Sequence, residues 1–195
     1  VCVVNYHRVL GNADPLLESE PDVDTFRWQM RLLKECFNVM PLHDAVMAVA
    51  TERIPPRAVC ITFDDGYRSV HDLALPVLKE FGLPATVFVT SGYVGENHMW
   101  NDRIIEAVAS IPSGELNLEA VGLGVYALHT LEDRKAAVAR LTESSKYLPP
   151  AVRIELIGRL EKMVGDKLAH GLMLDRAMVV NLSRAGVEIG AHTIS

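Results

Sequence analysis

Two adjacent carboxylates, Asp64 and Asp65, end an apolar run in the segment Ile61-Thr62-Phe63-Asp64-Asp65-Gly66-Tyr67. Ala58 to Phe63 reads as a buried strand, so the pair is expected at a strand's C-terminal end. In open α/β sheets and parallel barrels, functional groups collect at that end. Successive strand side chains point to opposite faces, but a glycine turn can re-aim the second carboxylate. Two anionic groups this close repel unless a cation or a proton is shared. A divalent metal held by one of them supplies that cation. The plainer reading is that both aspartates cap the helix that follows, where Asp is favoured.

A second apolar run, Val187 to Ala191, ends in His192 within Gly190-Ala191-His192-Thr193-Ile194-Ser195. Imidazole and carboxylate together suit zinc and similar divalent ions. A lone histidine at a strand end is otherwise an ordinary half-buried residue. His7 follows the first apolar run, Val1 to Tyr6, and is expected on the same rim. His43, His71, His98, His129 and His170 occur singly and carry no assigned role.

The elements that must position these groups follow from periodicity. Asp22 to Phe37 has Phe26, Met30, Leu33 and Phe37 at helical spacing. Pro41 to Thr51 reads as a short helix opened by proline. Arg68 to Phe81 is helical, and Pro76 inside it predicts a kink or a late start. Gly82 ends that helix, and Pro84 to Thr90 forms a third strand. Strand, helix, strand with short connections is the signature of a parallel sheet. Further helices are expected over Trp100–Ser110, Thr130–Tyr147, Pro149–Gly165 and Asp175–Ala185, with a hairpin over Glu115–Leu128 and a last strand over Val187–Ala191. On the Pro149–Gly165 helix the buried face is expected to carry Val152, Leu156, Leu160 and Met163. Residues 112–174 break the strand–helix rhythm and read as a mostly helical insertion.

The chain has 195 residues, 49% hydrophobic and 23% charged, with a net charge of −6. That length suits one domain, and the negative charge argues against a nucleic-acid partner. The three cysteines, Cys2, Cys36 and Cys60, form no C-x-x-C pair. Cys2 and Cys60, in apolar runs, are expected to be small buried hydrophobes. No apolar stretch is long enough for a transmembrane helix. The opening residues lack a basic leader, so no signal peptide is expected, with a lean to the cytoplasm. The chain does not begin with Met, so compartment is poorly determined.

Taken together, the motifs resemble those of a known family. Thr62-Phe63-Asp64-Asp65-Gly66 is similar to the T-F-D-D-G motif of polysaccharide deacetylases with the NodB homology domain, of the carbohydrate esterase family 4 type. Pro84-Ala85-Thr86-Val87-Phe88-Val89 resembles that family's next strand. His192-Thr193-Ile194-Ser195 resembles its H-S/T-x-x-H motif up to the last histidine, and Tyr6-His7-Arg8-Val9 the opening of one subgroup. The resemblance implies an α/β fold, an incomplete (β/α) barrel of TIM-like type whose C-terminal strands are not in this chain. It implies a hydrolase acting on an N-acetylated glycan and releasing acetate. Asp64 would be the catalytic base, and Asp65 and His192 two ligands of a divalent metal, zinc first among the candidates. The third ligand and the general acid would fall beyond Ser195, so the chain alone is expected to be inactive or weakly metal-binding. His7, Trp100 and Asp102 would line the substrate pocket, Trp100 because aromatic faces stack on sugar rings.

Three rival readings differ in class. A haloacid-dehalogenase-type phosphatase needs Asp-x-Asp, and here the aspartates are adjacent. A degenerate carbohydrate-binding relative would keep the fold without turnover. An O-acetyl esterase would use the same metal and water chemistry.

Overall fold

The computed structural model describes residues 1–96, 98–165 and 171–194; His170 and Ser195 lie outside them. In chain order the elements are β1 (Cys2–Tyr6), α1 (Val23–Cys36), β2 (Asn38–Val39), α2 (Leu42–Ala50), β3 (Ala58–Phe63), α3 (Leu75–Phe81), β4 (Thr86–Val89), α4 (Trp100–Ser110), β5 (Glu115–Asn117), β6 (Val125–Ala127), α5 (Leu131–Lys146), α6 (Pro150–Val164), α7 (Arg176–Arg184) and β7 (Glu188–Ala191). They form two compact units, Val1–Asn97 with Gly171–Ser195, and His98–His170. Among the described residues, no helix is long and apolar enough to cross a membrane.

The first unit is built on β3, whose six residues are all buried, the pattern of a parallel strand covered on both faces. β1 runs beside it in parallel, from Cys2 opposite Val59 to Tyr6 opposite Phe63. β2 pairs with the start of β3 and β4 with its end. β7 extends the parallel sheet from β4, with Thr86 opposite Glu188 and Val89 opposite Ala191. Two-residue β2 is too short to show any alternation in sequence, which is why periodicity missed it.

One face of β3 presents Val59, Ile61 and Phe63 to a core that includes Tyr6, Val87 and Val89 from the neighbouring strands. Phe26, Met30 and Leu33 of α1 and Val77 and Leu78 of α3 complete it. Tyr6, Phe26 and Phe63 form an aromatic trio with ring centroids 5.2 to 5.9 Å apart. Burial pushes the Tyr6 hydroxyl up to about 12, so it stays protonated and donates to Gln29 Oε1 at 3.0 Å. The other face carries a polar row in register: Asn5, Thr62, Thr86 and Glu188.

The helices follow their local chemistry. Asp22 caps α1, its Oδ1 accepting from Thr25 N at 2.8 Å. Phe37, expected on the buried face, is instead the extended cap residue and exposed. The kink expected at Pro76 is a widened turn over Val70–Ala74, where the Leu75 N–H reaches back five residues to the Val70 carbonyl. Proline lacks the N–H for the usual bond, and the wide turn absorbs the defect. Cys2 is exposed, unlike buried Cys60, because it starts β1, which among the described residues pairs with β3 alone.

The second unit has its own core, with Ile104, Ala107 and Val108 of α4 among Leu141 of α5 and Leu156 and Leu160 of α6. The hairpin β5–β6 adds Leu116 and Tyr126. Thr130 and Asp133 form the reciprocal box at the start of α5. The unit runs from His98 to His170. Its apolar face places α4 inside it, while residues after 170 return to the first unit, where Met173 bridges Tyr67 and Leu174 N donates to Gly66 O. On α6 the buried stripe passes through Val164, and Met163 is 53% exposed.

Phe63→Ala should cost about 3–5 kcal/mol, read as a lower urea midpoint with unchanged slope. Hydrogen bonds from Thr25 hold the Asp22 carboxyl below its ordinary value. A lowered folded-state pKa contributes stability above the unfolded value and loses it as pH falls through the folded one. Asp22→Ala should therefore have a lower Tm than the parent at pH 7, with the two converging in acid.

Candidate catalytic and metal-binding site

The parallel strands end on one rim of the sheet, and backbone hydrogen bonds carry the ladder past their ends. Asp64 N donates to Tyr6 O at 2.9 Å, Thr90 N to Asp65 O at 3.2 Å and His192 N to Val89 O at 3.0 Å. The residue after each strand is thus fixed relative to its neighbour, although the segments are far apart in sequence.

The turn after β3 separates the two carboxylates. Gly66 N donates to Asp64 O at 2.9 Å, closing a three-residue turn with Asp65 at φ 71°. Positive φ is unfavourable for a non-glycine residue and is held here by its surroundings. Gly66 follows at φ +84°, and a Cβ there would lie 3.1 Å from Val89 Cγ1. Asp64 Oδ2 accepts from Asn5 Nδ2 at 2.9 Å, while Asp65 Oδ1 lies 3.6 Å from His192 Nε2.

The Asp65–His192 spacing fits a shared cation. Tetrahedral zinc with ligand bonds near 2.1 Å separates neighbouring donor atoms by about 3.4 Å. Both side chains reach solvent, Asp65 at 14% and His192 at 42% exposure. Among the described residues, no group of three or more His, Cys, Asp or Glu side chains is placed to hold a metal. The segment after His192 is pinned: Ser91 N donates to Thr193 O and Gly92 N to Ile194 O. A Cβ on Gly92 would run into that Ile194 oxygen.

His7 stands after β1, half exposed, with Nδ1 4.0 Å from Glu20 Oε1. Trp100 and Asp102 belong to the second unit. The Arg153 guanidinium lies 5.0 Å from the Trp100 ring centre. Buried Asp102 accepts from Met99 N at 2.9 Å and so caps its own helix. Below the rim, Thr62 Oγ1 donates to Asn5 Oδ1 at 2.8 Å and Thr86 Oγ1 to Glu188 Oε2 at 2.6 Å. Burial first, and Glu188 second, push the Cys60 thiol up. Periodicity alone does not single out Asn5. Its signal was there, because asparagine is depleted in strands and this one interrupts an apolar run.

Gly66→Ala meets both a positive φ and the Val89 contact. It should cost about 1–3 kcal/mol, measured as a fall in Tm.

Comparison with known proteins adds the family. The family model described as polysaccharide deacetylase matches residues 51–195. The poly-beta-1,6-N-acetyl-D-glucosamine N-deacetylase of Staphylococcus aureus (strain MSSA476) is 26% identical over 210 residues, covering 96% of this chain and 70% of that protein. The protein of the same name from Staphylococcus epidermidis is 26% identical over 156 residues, covering 73% of this chain and 53% of its own length. A solved de-N-acetylase from Aggregatibacter actinomycetemcomitans shares the fold, with a TM-score of 0.55 at 17% identity. It is covered to 55%, so this chain spans about half of that relative. The fold is thus α/β, an incomplete (β/α) barrel, and by the family match over its T-F-D-D-G segment and His192 the chain belongs to the polysaccharide deacetylase family.

Proposed function

We propose that this chain carries part of the active site of a metal-dependent deacetylase that removes N-acetyl groups from an amino-sugar glycan. The observation that carries the reading is the Asp65–His192 pair at 3.6 Å, with Asp65 on the turn that also presents Asp64. The names of the staphylococcal relatives support the substrate class.

Asp65 and His192 would hold the metal through Oδ1 and Nε2. When bound, a divalent cation, zinc first among them, supplies Lewis-acid polarisation of the acetamide carbonyl. Asp64 is the general base. With Oδ2 held by Asn5, its Oδ1 takes a proton from the attacking water. Water oxygen bonds to the carbonyl carbon, the C–N bond breaks, and the sugar amine leaves with a proton as acetate forms. No residue of this chain is assigned to protonating that amine. His7 on the rim is proposed to contact the sugar. With two candidate ligands among the described residues against the three usual in catalytic sites, the chain by itself is expected to bind metal weakly and turn over little.

The test is a zinc and cobalt titration of the parent with Asp65→Ala and His192→Ala, paired with acetate release from β-1,6-linked N-acetylglucosamine oligomers. Each variant should lose more affinity than the roughly 10–100-fold that outer-shell changes cost. Parental affinity in both variants would sink the metal assignment. Undiminished acetate release from Asp64→Asn would sink the base.

A further inference from the structure

Asn5 makes both of its side-chain hydrogen bonds to one strand and its extension. Nδ2 donates to Asp64 Oδ2 at 2.9 Å, and Oδ1 accepts from Thr62 Oγ1 at 2.8 Å. Chemistry settles which end faces which. An ionised carboxylate only accepts, so the amide nitrogen must face Asp64 and the oxygen Thr62. The amide is therefore not free to flip.

Thr62 is an unusually firm anchor. It is 3% exposed, β-branched and so stiff about its first side-chain torsion. It stands directly opposite Asn5 in the parallel ladder. The Asp64 backbone is tied to the same strand through Tyr6 O. β1 thus holds the Asp64 main chain with one bond and its carboxylate with another. Asp65 Oδ1, by contrast, lies 3.6 Å from His192 Nε2.

From this geometry we infer that Asn5 is a positioning residue for the deacetylation: locked by Thr62, it fixes the rotamer of Asp64 so that the free carboxylate oxygen faces the attacking water. The inference rests on the reading of Asp64 as base. Asn5 is neutral, so it orients that carboxylate without forming the ion pair that a lysine or arginine would. A base must sit within about half an ångström of its working position, and a misplacement near 1 Å can cost about 100-fold in rate. An unheld carboxylate on an open rim would sample other rotamers.

The test compares Asn5→Leu and Thr62→Val, which keep size while removing the amide and the hydroxyl, in the purified protein. With β-1,6-linked N-acetylglucosamine oligomers, Asn5→Leu should lower kcat by about 10–100-fold, with KM and zinc affinity unchanged. Thr62→Val should lower kcat in the same way. The double variant should lose no more than Asn5→Leu alone, because both act through one contact. In the Asp64→Asn background, adding Asn5→Leu should change nothing. A fully active Asn5→Leu beside a dead Asp64→Asn overturns the role of Asn5 alone, as would losses that multiply or a loss of zinc affinity. A fully active Asp64→Asn overturns the base itself, and this inference with it. A second measurement needs no turnover: by NMR, the Asn5 side-chain amide protons should exchange slowly in the parent and rapidly in Asp64→Ala and Thr62→Val. Unchanged exchange in Asp64→Ala overturns the proposal.

Discussion

The register of the parallel ladder through β3 is the constraint on which the site depends. Side chains on a strand alternate with a period of two, so a slip of one residue would turn every side chain of the slipped strand to the other face. The register of β1 against β3 puts Tyr6 beside Phe63 in the core and Asn5 beside Thr62 on the polar face. The large cost of exposing Phe63, Tyr6 and their aromatic partner Phe26 therefore also fixes the polar row. Hydrophobic packing on one face sets the geometry of chemistry on the other.

The rim then has to manage adjacent negative charges. Asp64 and Asp65 share a peptide bond, and the turn divides them: an amide donor binds one, and an imidazole nitrogen stands 3.6 Å from the other. The strained backbone at Asp65 is the cost of that division, held in place by the bonds from Gly66 N to Asp64 O and from Thr90 N to Asp65 O. Gly66 completes the turn at a positive φ, where a Cβ would sit 3.1 Å from Val89 Cγ1.

The second unit follows the same physics in isolation. Its core is apolar and self-contained, and its buried charge is compensated locally. Arg103, 5% exposed, lies 3.0 Å from Glu106 and 3.2 Å from Glu161. Burying an arginine without such partners is strongly unfavourable. α4 belongs with this unit because Ile104, Ala107 and Val108 form one stripe, and the stripe, not the connecting loop, decides the boundary.

Much of the architecture was legible in the chain itself. Apolar runs ending in polar groups marked β1, β3 and β7 and placed His7, Asp64 and His192 at their ends. The helical spacing of Phe26, Met30 and Leu33 marked the buried face of α1, and Thr130 with Asp133 marked the start of α5. These signals are local, carried by residues within a few positions of one another. What only the tertiary structure decided is long-range. Asn5 and Asp64 are 59 residues apart and their contact exists only once β1 lies in register on β3. The positive φ of Asp65, the pairing of Asp65 with His192 and the membership of α4 depend equally on neighbours that the chain brings together by folding. Periodicity reports which face of an element is apolar; it carries no information on which element will cover that face.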